Sequence, residues 1–256
     1  MTKRRSRQEE KEFRHERSGR ERRDIPEFAR AEQEGWDPIG SPITSRREQK
    51  YVRKVRPQNE HQAALIEAMA KDNLVVAVGP AGTGKTYLAI SAAVEALETG
   101  KVDRIILSRP AVESGEHLGF LPGDLQEKMA PYLRPLYDAL NDRLGVKKLK
   151  QSLMDGIIEI APIGFMRGRT LNNAFVVIDE AQNCTYVQIK MLLTRLGWHS
   201  TMVLTGDPDQ SDLLGGLSGL ADIAQKLSVV EGVSVVQLTD QDIVRHPLVA
   251  SMLRVL

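Results

Sequence analysis

The run Gly79-Pro80-Ala81-Gly82-Thr83-Gly84-Lys85-Thr86 constrains the fold of this chain more than any other stretch. It fits G-x-x-x-x-G-K-[ST] and stands between a short apolar run, Leu74–Val78, and a helix-forming stretch, the strand–loop–helix context that gives the pattern meaning. Glycines let backbone N–H groups turn inward around an anion, and the helix that follows adds its positive N-terminal end. Lys85 would reach the β- and γ-phosphates of a nucleoside triphosphate. Thr86 would offer its hydroxyl to Mg2+, which keeps several waters and bridges phosphate oxygens. The expectation is a site for ATP and Mg2+ built on residues 79–86.

Around that loop, helix-length amphipathic stretches alternate with short buried-strand runs, the layout of an α/β protein with a mostly parallel sheet and helices on both faces. Asn59 is placed to cap a helix running to about Met69. After Leu74–Val78, further strands are expected at Arg104–Leu107, Ile157–Ile160, Phe175–Ile178, Met202–Thr205 and Val233–Leu238. Helices are expected at about Thr86–Leu97, Gln126–Leu144, Tyr186–Leu196 and Leu217–Leu227, with Gly100, Gly145 and Gly197 as stops. Pro131 and Pro135 should kink or restart the second of these helices.

Two more runs carry chemistry. Phe175-Val176-Val177-Ile178-Asp179-Glu180 is an apolar strand that ends in two acids, at the sheet edge where α/β proteins place ligands. Asp179 suits a Mg2+ partner and Glu180 the base that orients an attacking water; an acid pair at a helix start is the alternative reading. Met202-Val203-Leu204-Thr205 likewise runs into Gly206-Asp207-Pro208-Asp209-Gln210, where Gln210 is positioned to sense the γ-phosphate unless the loop is an ordinary Gly-Asp-Pro turn.

Charge is unevenly spread. Residues 1–56 hold 17 Lys and Arg against 11 Asp and Glu, while the whole chain of 256 residues carries only +1. Up to about Asp24 there is almost no apolar residue to offset ordering entropy, so residues 1–56 read as a basic, largely disordered or extended arm before a core spanning 57–256. Such an arm can meet a polyanion or simply be solvated. One cysteine, Cys184, permits neither an internal disulfide nor a thiolate metal cluster. No apolar run approaches the roughly 18 residues that span a bilayer, and the N-terminus lacks a secretory pattern, so the expected location is cytoplasmic with no membrane partner.

Asn59-Glu60-His61-Gln62, Asp179-Glu180-Ala181-Gln182 and Gly206-Asp207-Pro208-Asp209-Gln210 stand in the order of superfamily 1 helicase motifs. The chain resembles the PhoH family of P-loop ATPases more closely, in Gly79–Thr86 and Asp179–Asn183 and also in Ser108–Pro122, Tyr132–Leu140, Phe165–Leu171 and Val244–Val249. That resemblance covers residues 57–256 and implies a RecA-like fold. It implies that Gln62 reads the adenine edge, that Gln210 is the γ-phosphate sensor, and that Arg245 is an arginine finger or sensor, a surface residue being its alternative. It also implies a homo-oligomer, a hexameric ring in which a neighbour supplies the surface that a second RecA domain gives a helicase. Some relatives carry an RNA-binding or nuclease domain before the ATPase, and residues 1–56 have the pattern of neither.

The leading expectation is a Mg2+-dependent ATPase coupled to RNA or single-stranded nucleic acid, as a helicase or remodeller. Arg109, Arg167 and Arg169 follow expected strands and face nucleotide or nucleic acid, or else make structural ion pairs. The basic arm, the pore loops of the ring, or Arg143, Lys147, Lys148 and Lys150, would serve as RNA contacts. The alternative is a nucleotide-gated scaffold or timer that binds a protein partner, and a P-loop kinase is disfavoured by the water-activating Glu180.

Overall fold

Strands buried on both faces need cover from both sides, and this chain supplies it with helices above and below one sheet. The structure is a computed structural model that describes residues 55–110, 125–213 and 217–244, with the side chains of 125–131 outside that description. Its elements run α1 (Glu60–Lys71), β1 (Leu74–Val78), α2 (Lys85–Glu98), β2 (Arg104–Ser108), α3 (Leu125–Leu144), α4 (Val146–Met154), β3 (Ile158–Ile160), β4 (Ala174–Ile178), α5 (Tyr186–Leu193), β5 (Thr201–Gly206), α6 (Leu220–Leu227) and β6 (Val233–Gln237). Short 3-10 turns lie at Ile163–Met166, Ala181–Asn183 and Asp240–Asp242.

The six strands form one sheet in the order β3-β2-β4-β5-β1-β6, and every pairing is parallel. Because side chains alternate across a strand, Val75 and Ala77 enter a core with Leu65 of α1, Ala89 and Ala93 of α2, Leu136 of α3 and Leu149 of α4. Leu74, Val76 and Val78 enter the opposite core, with Ile189 of α5 and Ile223 of α6. The expected α/β architecture with helices on both faces is therefore what the chain adopts. β5 lies between β1 and β4, so the strand at residues 201–206 fills the gap between the P-loop strand and the acid-bearing strand. Among the described residues no helix is long and apolar enough to cross a membrane.

Several expectations shift. α3 is one continuous helix despite its two prolines: Leu133, Leu136 and Leu140 seat it in the core, and Pro135 lies on its exposed side. α4 is an addition to the expected helices. Gly145, at φ +76°, ends α3 but turns the chain straight into a second helix whose Leu149 is fully buried. α5 stops at Leu193 because Leu196 bridges to Leu171, and α6 starts only at Leu220 because Ser218 bridges to Thr185. Arg143 is 2% exposed, which removes it from the set of surface contacts for RNA, and Lys148 pairs with Glu98. The basic arm up to residue 54 and Arg245 lie outside the described residues.

Candidate nucleotide site

Three strand ends, those of β1, β4 and β5, open onto the same sheet edge and carry the candidate residues. The loop after β1 turns through left-handed glycines at 82 and 84, φ +85° and +86°. Gly79 is fixed by crowding as well: a Cβ there would lie 2.3 Å from the Leu238 carbonyl oxygen, at the point where β6 leaves the sheet. The segment after β6 wraps this loop from behind. Val244 N–H donates to the Gly82 carbonyl at 2.9 Å, and Asp242 accepts from His61 Nδ1 at 2.8 Å. Burial pushes the Asp242 carboxyl upward, but the Thr239 N–H and hydroxyl together with His61 outweigh it and hold the group below its ordinary value.

Lys85 heads α2 and is buried. Its ammonium donates to the Gly79 and Pro80 carbonyls at 2.6 and 2.7 Å and to Thr83 Oγ1 at 3.3 Å. Desolvation lowers its pKa, against the opposing pull of Asp207, Glu180 and Asp179. Thr83 Oγ1 in turn donates to the Pro80 carbonyl. Gln62 reaches the loop from α1: Asn59 caps that helix by accepting from Gln62 N–H, and Gln62 Nε2 donates to the Thr83 carbonyl at 3.1 Å while its Oε1 accepts from Gln58 N–H. Gln62 is thus seated against the P-loop, its amide engaged by the chain at both ends.

Asp179, 2% exposed, joins the two other strand ends. Its Oδ1 accepts from the Thr86 hydroxyl at 2.6 Å and from the Thr205 hydroxyl at 2.7 Å. Adjacent residues of a strand point to opposite faces, yet Glu180 also serves this edge because its backbone turns left-handed, φ 53° and ψ 43°. For a residue with a Cβ that turn costs on the order of 1–2 kcal/mol, a strain that fits a functional position. One Glu180 oxygen accepts from Arg109 Nη2 at 3.3 Å and the other from Gln182 Nε2 at 2.5 Å. Gln182 also accepts from Asp207 N–H and donates to the Gln210 carbonyl, so it ties the acid loop to the loop after β5. Gly206 permits that approach: a Cβ would stand 2.6 Å from Gln182 Oε1 and from Leu220 Cδ2. The Gln210 side chain is exposed at the rim.

The donor set suits a hard cation. A hydroxyl and a carboxylate share one buried edge beside the phosphate loop, and no group of three or more His, Cys, Asp or Glu among the described residues forms a metal cage by itself. Mg2+ arriving with phosphate oxygens and waters fits that arrangement.

A model of the family described as PhoH-like protein matches residues 54–256. The chain belongs to the PhoH-like family. It is 54% identical to the PhoH-like protein of Bacillus subtilis (strain 168) over 202 residues, 78% of this chain and 63% of that protein. It is 46% identical to Protein PhoH of Escherichia coli (strain K12) over 194 residues, 75% of this chain and 55% of that one. The chain thus spans a little over half the length of these curated relatives. Among solved structures, the large terminase of a thermophilic bacteriophage superposes with a TM-score of 0.49 at 11% identity, over 78% of this chain and 50% of that one. The PhoH-like chain's own parallel sheet order and glycine-turned phosphate loop are those of a P-loop fold.

Of the residues expected in the site, the structure brings together 79–86, Gln62, Asp179 and Glu180, with Gln210 at the edge. Arg109 is beside the acids, whereas Arg169 is turned away into a two-armed pair with Glu159 at 2.6 and 2.7 Å. Arg167 is exposed and lines a cavity of about 780 Å3, with Pro110, Ile163, Asn183, Met191 and Leu217. Sequence reasoning missed Thr205 and Gln182 as site residues. A lone hydroxyl at the end of the apolar run Met202-Val203-Leu204-Thr205 was the available signal for the first.

Proposed function

We propose that this PhoH-like chain binds ATP with Mg2+ and hydrolyses it, and that the cycle is coupled to RNA or single-stranded nucleic acid. The observation that carries the reading is the 2.6 Å hydrogen bond from the P-loop residue Thr86 to Asp179, with Glu180 as the next residue. Backbone N–H groups of residues 79–86 would hold the phosphates. Lys85 exchanges its loop carbonyls for phosphate oxygens, an exchange among charge-assisted hydrogen bonds. Thr86 and Asp179 would hold Mg2+, whose positive charge offsets the charge that develops on the transferring phosphoryl group. Glu180 accepts the proton of the attacking water, and Gln210 senses the γ-phosphate.

Coupling to a polyanion rests on the helicase-like order of the motifs; the 780 Å3 cavity adds only a place next to the site, since its wall carries the acid Asp212 as well as a cation. Pro110 follows Arg109 in the chain and Asn183 follows Gln182, so both partners of Glu180 have a chain neighbour in the cavity wall, where Arg167 supplies a cation. Gln62 is assigned to the adenine edge and Arg245 to a neighbouring subunit's site in a hexameric ring. These two roles rest on the family resemblance.

The test is Glu180→Gln in the full chain. Turnover should fall by about 10²- to 10⁴-fold, as for a positioned base, while affinity for an ATP analogue measured by calorimetry is kept. Turnover near that of the unsubstituted protein removes Glu180 from the role. Single-stranded RNA should stimulate the unsubstituted ATPase in a salt-sensitive way. A rate indifferent to every RNA and DNA tested would end the coupling.

A further inference from the structure

The geometry points to Arg109 as a positioning residue that holds the two acids of the nucleotide site in one arrangement with a single guanidinium. The inference rests on the hydrolysis reading above and adds to it a residue that acts through the two acids.

Sheet register alone brings Arg109 to this place. β2 pairs with β4 so that Ser108 is opposite Ile178, and the ladder continues one step further, with Asp179 N–H donating to the Ser108 carbonyl at 2.9 Å. The next residue on each strand is Arg109 on one and Asp179 on the other. Pro110 disfavours a helical turn at Arg109 and keeps it extended, so its side chain stays at the sheet edge.

One arm of the guanidinium then lies 3.5 Å from Asp179 Oδ2 and the other 3.3 Å from Glu180 Oε1. These are carboxylates with different assigned work, and one faces the hydroxyl of Thr86 while the other meets the water. Only a planar, forked cation can address both at once; a lysine ammonium is a point charge on a flexible stem. Glu180 needs the help, because its left-handed turn is held only at the backbone, where its carbonyl accepts from Asn183 N–H at 3.0 Å; that bond does not set the side chain, whose other oxygen is held by Gln182. The pair is partly open to solvent, at 21% side-chain exposure for Arg109 and 36% for Glu180, so its weight in global stability is small. Arg109 also puts a positive charge beside the carboxylate assigned to Mg2+, which the incoming cation must meet.

The consequence separates binding from turnover. In the full chain, Arg109→Gln should lower kcat at saturating Mg2+ by about ten- to a hundredfold, the scale of a displaced catalytic group. KM for ATP and the calorimetric affinity for a non-hydrolysable analogue should stay within about threefold. The Mg2+ concentration that half-saturates analogue binding should fall, because a like charge has been removed. Arg109→Lys keeps the charge and loses the fork, so it should restore the Mg2+ requirement without restoring kcat. Turnover of Arg109→Gln within about twofold of the unsubstituted protein would overturn the inference, as would a parallel loss of analogue affinity and thermal stability. If the unsubstituted chain itself hydrolyses no ATP, the proposed function fails separately. The Mg2+ dependence of analogue binding then decides Arg109 alone, and an unchanged value in Arg109→Gln overturns it.

Discussion

Replacing Thr205 by valine removes one hydroxyl from the interior and almost nothing else. Thr205 is fully buried on β5, and its hydroxyl donates to Asp179 Oδ1 at 2.7 Å. Valine has the same shape, so no cavity opens, and the loss is that of a hydrogen bond to a buried carboxylate. Such bonds contribute about 1.5–3 kcal/mol. Asp179 keeps Thr86 at 2.6 Å on the same oxygen and Arg109 near the other, so it is not stranded, and the lower end of that range applies. The expected loss is about 1.5–2 kcal/mol. For a domain of this size that lowers the thermal midpoint by about 3–8 °C.

Urea denaturation should place the change in the midpoint with the slope unaltered. Thr205→Ser keeps the donor and gives up one methyl group, a loss of about 1 kcal/mol. Its stability should therefore lie between those of Thr205→Val and the unsubstituted chain, and its Mg2+-dependent nucleotide binding should match the unsubstituted chain. A Thr205→Val protein within about 0.5 kcal/mol of the unsubstituted one, the range of an ordinary surface substitution, would refute the claim that β5 helps hold the metal-side carboxylate.

Lys85→Ala should weaken ATP-analogue binding by about ten- to a hundredfold, the equivalent of one charge-assisted bond. Faster amide exchange through residues 79–83 should accompany it, because Lys85 is bonded to three oxygens of that loop. Gly206→Ala should destabilise by about 1–3 kcal/mol through overpacking, and adding Gln182→Ala should cost less than the sum of the two, since the new methyl meets Gln182 Oε1 at 2.6 Å. Asp242 should give the fold an acid-sensitive component. Its folded pKa lies below the ordinary 3.8, so the stability it contributes is complete above that value and is lost as pH falls through the lower folded one. Comparing denaturation midpoints of the unsubstituted chain and Asp242→Asn across the acid range checks this, and the variant should have the flatter acid limb.

The local pattern sufficed for everything whose cause is local. Leu74–Val78 has no polar residue and becomes a strand buried at every position. Asn59 caps α1 because an Asn side chain accepts from the N–H three residues on. The P-loop needs glycines for left-handed turns, and a strand that ends in Asp179-Glu180 announces its acids at the ligand edge. Where the chain departs from its local pattern, the reason is a distant partner. Leu196 leaves α5 to pair with Leu171, and α3 runs through Pro135 because its apolar stripe is buried elsewhere.

The relations among the site residues belong to the tertiary structure. Nothing near Thr205 in sequence says that β5 inserts between β1 and β4, yet that strand order is what sets its hydroxyl against Asp179. Arg109 stands far before Asp179 in the chain and meets it only because β2 and β4 pair in one particular register. A sequence can specify which groups a site has available, since spacing along a strand or turn is fixed by covalent geometry. Which groups share a proton, a charge or an oxygen is decided by strand order and register, and those follow from burying two apolar faces at once.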